Sequence, residues 1–117
     1  MRILTFATSA LLAIMLGTAA EAHAFLDHAE PRVGSTVPTA PRELSLSFTQ
    51  KLEPAFSSVE VSDGNGARVD LGRPSISSSV MRIGLKPLSP GTYRVRWHVL
   101  SVDTHTTEGS FTFHVGQ

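Results

Sequence analysis

The chain has 117 residues, ten basic and ten acidic, giving zero net charge with neutral histidines, and it contains no cysteine. Balanced charge argues against a nucleic-acid partner, which requires a clustered basic surface. The missing thiols exclude disulfides, thiolate metal sites and a cysteine nucleophile, so any metal here is held by nitrogen and oxygen.

The first 22 residues read as an export leader. Arg2 supplies the positive start, and "ILTFATSALLAIMLG" is an apolar run too short for a comfortable membrane span. Ala20-Glu21-Ala22 fits the small-x-small cleavage pattern, which makes His23 the first mature residue; Ala22-His23-Ala24 also fits and would start the chain at Phe25. Cleavage before His23 leaves residues 23–117 as one domain with a single core, with nine charges of each sign. No second apolar run follows.

Period-two alternation then dominates. A first strand is expected near Phe25–His28. "ELSLSF" points Leu44, Leu46 and Phe48 to one face, and "SVEVS" does the same with Val59 and Val61. "DGNG" at 63–66 is a hairpin turn, because Gly and Asn tolerate positive φ. "ARVDL" returns with Val69 and Leu71 expected inward, and "VMRIGL" adds a strand over Val80–Leu85. "KPLSPG" cannot continue a ladder. "TYRVRWHVL" alternates Tyr93, Val95, Trp97 and Val99 inward, and "SFTFHV" alternates Phe111, Phe113 and Val115. Between them lies the polar connection "SVDTHTTEG". About seven short strands and no helical period predict an all-β sandwich or Greek-key barrel.

All five histidines fall in the mature part: His23, His28, His98, His105 and His114. His98 and His114 take solvent-side strand positions and read as surface residues. His28 ends the first strand; a surface role and a metal contact both stay open. His23 is distinguished by position, because a first-residue histidine offers its α-amine and its imidazole Nδ1 as a chelating pair. The amine titrates near pH 8, so freeing it at neutral pH costs about 1 kcal/mol or less. Asp103-Thr104-His105, in extended chain, would place a carboxylate and an imidazole on one side. The resulting set of three nitrogens and one oxygen suits tetragonal Cu(II); zinc accepts the same groups in a tetrahedral arrangement.

The stretches "HAFLDHAEPRVGSTVPTAPRELSLSFTQKLEP" and "LSPGTYRVRWHVLSVDTHTTEGSFTFHV" closely resemble the CopC family of periplasmic copper-binding proteins, across essentially the whole mature chain. The resemblance implies a seven-stranded Greek-key β-barrel of immunoglobulin-like build. It also implies one Cu(II) held by His23, Asp103 and His105, in a monomeric, non-enzymatic protein that buffers or carries copper in homeostasis or resistance. An inner-membrane copper transporter is the implied partner. Two departures stand out. Met81 is the sole methionine after the leader, so a thioether Cu(I) site cannot be assembled. Phe25 also replaces the third-position histidine of many members, and a place in the core is expected for it. The alternatives are a copper monooxygenase-like enzyme with an N-terminal histidine, and a metal-free immunoglobulin-like interaction module.

Overall fold

The computed structural model describes residues 25–117; the leader and His23 lie outside them. Eight strands form in chain order: β1 (Leu26–Glu30), β2 (Thr36–Val37), β3 (Glu43–Phe48), β4 (Ser58–Ser62), β5 (Asp70–Ser77), β6 (Val80–Leu85), β7 (Gly91–Leu100) and β8 (Thr106–Val115). They build two four-stranded sheets, ordered β1-β3-β6-β5 and β2-β8-β7-β4.

The alternation read from the sequence explains how the sheets face each other. Leu44, Leu46, Phe48, Met81, Ile83 and Leu85 come from the first sheet. Val59, Val61, Tyr93, Val95, Trp97, Val99, Phe111, Phe113 and Val115 come from the second, and all of them are buried in one core. Phe48 meets Trp97 edge to face, with ring centroids 5.2 Å apart, and so joins the two layers. Each fully buried side chain of this size contributes about 1.5–3 kcal/mol relative to exposure.

Two expectations are corrected. The sheets are layers of a sandwich with open edges at β1, β5, β2 and β4, and neither closes into a barrel. The strand count is eight rather than seven, because the "TV" of "GSTVP" pairs in parallel with His114 and Val115. A two-residue strand has no period to detect, and alternation sets which face is buried without saying whether the edges meet.

A third correction concerns Leu71, which is 52% exposed, while its neighbour Asp70 is buried. Residues 67–69 pair back on β4, with Val69 N–H donating to the Val61 carbonyl at 2.8 Å. The chain then crosses to the other layer, where Asp70 opposes Leu85 of β6. A crossing of this kind shifts the phase by one residue, which reverses every inward and outward assignment. Asp70 is tolerated inside because Val61 N–H donates to its Oδ1 at 2.9 Å and Arg68 grips both oxygens, Nε to Oδ1 at 2.8 Å and Nη2 to Oδ2 at 2.9 Å. Phe25 is half-buried at the start of β1, and it is Leu26 that packs against the core.

The β7–β8 hairpin positions the candidate site. Ten residue pairs hold it in register, from Gly91 opposite Val115 to Leu100 opposite Thr106. The polar connection therefore shrinks from the expected 101–109 to 101–105. Thr106–Gly109 reads as loop in the sequence because Gly109 occupies an inward position, where the indole of Trp97 fills the space a side chain would take. A Cβ on Gly109 would lie 2.6 Å from Trp97 Cζ2.

Candidate metal site

The connection Ser101–His105 caps the hairpin at one end of the sandwich. It is tied to the segment that follows β3: Leu52 bridges Ser101, Val102 N–H donates to the Lys51 carbonyl at 3.0 Å, and Glu53 N–H donates to the Leu100 carbonyl at 2.8 Å. Within the connection, Thr104 N–H donates to the Ser101 carbonyl at 2.8 Å and Ser101 N–H to the His105 carbonyl at 2.9 Å. Thr104 takes the left-handed conformation with φ of 70°, an uncommon one for a β-branched residue.

That turn brings Asp103 and His105 together, with Oδ1 and Nδ1 3.4 Å apart. The expected pair is present, but by a different route from the one anticipated. The triplet is not extended; a left-handed Thr104 folds the two side chains onto each other. Both are about half exposed, at 44% and 51%, so the pair is open to solvent. Their separation is that of two donors at a near-tetrahedral angle, each about 2.0–2.2 Å from one first-row ion, and these exposed side chains need to close by only about 0.4 Å for the right angle of a tetragonal ion. The donor set and its spacing fit a copper or zinc ion, with the remaining ligands still to be supplied.

Ser101 completes the local network and was not singled out from the sequence. Its hydroxyl donates to Asp103 Oδ1, and its Oγ lies 3.2 Å from the His105 carbonyl oxygen. The residue is fully buried. Ser101 is the foremost reason the Asp103 carboxyl is held below its ordinary value, with the His105 contact adding to it. The signal was available: the inward phase of Tyr93, Val95, Trp97 and Val99, carried two residues further, lands on Ser101.

The other histidines sit elsewhere. His98 is exposed and faces Ser58 and Glu108 across the ladder. His114 Nδ1 is 2.9 Å from Thr92 Oγ1. His28 turns to Glu30, with Nε2 and Oε2 3.4 Å apart. Among the described residues no group of three or more His, Asp or Glu side chains converges to hold a metal. Met81 is fully buried in the core. His23 lies outside the described residues. At the first described residue, Phe25 N–H donates to Thr49 Oγ1 at 2.9 Å, and Thr49 N–H donates to the Phe25 carbonyl at 3.0 Å.

Comparison with known proteins places these features in a family. The CopC domain family matches residues 26–116. The chain is 35% identical over 118 residues to copper resistance protein C of Xanthomonas campestris pv. juglandis, with 92% of each covered. It is 29% identical over 111 residues to the copper transport protein CutJ of Bacillus subtilis (strain 168), covering 92% of this chain but 20% of that protein. The crystal structure of CopC from Methylosinus trichosporium OB3b superposes with a TM-score of 0.75 at 31% identity, over 80% of this chain and 94% of that one.

Proposed function

The chain belongs to the CopC domain family, and from that premise we propose that it is a periplasmic protein that binds one Cu(II) and buffers or carries it in copper homeostasis. The observation that carries this is the juxtaposition of Asp103 and His105, 3.4 Å apart at the hairpin tip. The backbone track supports the third ligand. Phe25 pairs with Thr49, and two residues further on Lys51 accepts a hydrogen bond from Val102, next to Asp103. Phe25 thus begins the described chain on the side of the sandwich where Lys51 meets the hairpin tip, and His23 precedes it by two residues, a span of at most about 7 Å.

After removal of residues 1–22, His23 supplies its α-amine and imidazole, Asp103 one carboxylate oxygen and His105 one imidazole nitrogen. Copper is cargo here, bound and released without turnover. Two donors on a solvent-open loop allow entry and exit, while ten ladder pairs beneath keep the frame rigid. The similarity of this chain to one fifth of a copper transport protein supports a copper transporter of the inner membrane as the partner.

The test is copper titration of the exported protein after its intact mass has fixed the first residue. A form exported with one extra alanine before His23 should bind Cu(II) weaker by orders of magnitude while keeping its thermal stability. Unchanged affinity removes the amine from the site, and a mass starting at Phe25 removes His23 altogether. Sustained oxidation of a chromogenic substrate by the copper form with reductant would instead favour an enzyme.

A further inference from the structure

Ser101 is a polar side chain with no exposed surface, and a buried hydroxyl must place its proton on an acceptor. Two acceptors are in reach, and the nearer is Asp103 Oδ1; the His105 carbonyl oxygen stands at 3.2 Å. Ser101 also makes the main-chain bonds that close the turn, donating to His105 and accepting from Thr104. One residue therefore touches both halves of the Asp103–His105 pair from beneath, where solvent does not reach.

We propose that Ser101 is the positioning residue of the copper site: its hydroxyl holds Asp103 Oδ1 and so fixes the plane in which the carboxylate meets the metal. The inference rests on the copper reading above and deepens it. A carboxylate on an exposed loop turns freely about two torsions, and a bond from the rigid core to one oxygen removes that freedom before metal arrives. The bond uses one lone pair of Oδ1, so this oxygen, 3.4 Å from His105 Nδ1, is held toward the imidazole with its other lone pair still open to a metal. Partners of this kind, behind a ligand, typically govern affinity by about 10- to 100-fold when removed.

The test compares exported wild-type, Ser101→Ala, Ser101→Thr and His105→Ala proteins by Cu(II) competition titration, by electron paramagnetic resonance of the copper form, and by thermal melting without metal. Ser101→Ala should weaken Cu(II) binding about 10- to 100-fold and change the copper spectrum, and Ser101→Thr, which keeps the hydroxyl, should restore the wild-type spectrum. Wild-type affinity and spectrum in a folded Ser101→Ala protein overturn the inference. A loss in Ser101→Ala that the hydroxyl of Ser101→Thr does not correct also overturns it, provided both melt like wild type. Should the variants fail to fold, nuclear magnetic resonance of the metal-free wild type decides: a slowly exchanging Ser101 hydroxyl proton coupled to the Asp103 carboxylate supports the assignment, and its absence refutes it. His105→Ala separates the two levels, since unchanged affinity there defeats the copper site itself, whatever Ser101 does.

Discussion

Asp70 offers the sharpest test of how this sandwich is held together without disulfides. Asp70→Ala removes the acceptor of the Val61 N–H, on a residue with no exposed surface. A buried donor left unpaired costs about 1–3 kcal/mol. The bidentate Arg68 pair goes as well, but the Arg68 side chain is 57% exposed, so solvent limits that loss to about 0–1 kcal/mol. The total is about 1–4 kcal/mol, against a stability of about 5–15 kcal/mol for a domain of this kind. Asp70→Asn keeps an oxygen for Val61 and should lose about 1 kcal/mol or less.

The same residue sets a pH dependence. Burial pushes the Asp70 carboxyl up, but the Arg68 hydrogen bonds and the Val61 N–H outweigh it, leaving the group below its ordinary value. A carboxyl lower in the native than in the unfolded state stabilises fully above the unfolded value, about pH 4. That contribution is lost as pH falls through the lower native value, so the gap between wild type and Asp70→Asn should close below about pH 4. Denaturant unfolding followed by the fluorescence of Trp97, the only tryptophan, measures each quantity. Equal losses in the alanine and asparagine variants, or a gap that does not change with acid, would refute this account of the buried carboxylate.

Two further outcomes are expected. Gly109→Ala should destabilise by about 1–3 kcal/mol in the same unfolding assay, because the new methyl meets Trp97 Cζ2 at 2.6 Å; a neutral result would mean the indole yields without cost. His105→Ala should weaken Cu(II) binding by orders of magnitude in competition titration, whereas His114→Ala, which loses its contact with Thr92, should leave it unchanged; equal losses would place His114 in the site.

Much of the fold is legible in side-chain alternation. Leu44, Leu46 and Phe48, and Tyr93, Val95, Trp97 and Val99, are buried as their period-two phase demands. What escapes is whatever alternation does not encode. Leu71 departs from its phase because the chain changes layers at Asp70, and a phase read within one strand carries no information across a crossing. β2 is too short to show a period. At the site, Asp103 and His105 are recognisable by residue type and spacing, yet their approach depends on a left-handed Thr104 that nothing in "DTH" announces. Ser101 is hidden by its company: a serine heading a polar run reads as loop, although it carries the inward phase of β7 one residue past the strand's end.

The five-residue tip on a ten-pair hairpin separates two kinds of structural demand. Val95, Val99, Phe111 and Phe113 answer to the interior, while Asp103 and His105 stand about half exposed on the tip, so on the proposed copper reading the ligands can change while Ser101 and the frame beneath stay in place. Tips of other composition placed on this frame, with the buried Ser101 kept, should then differ in metal preference while folding alike.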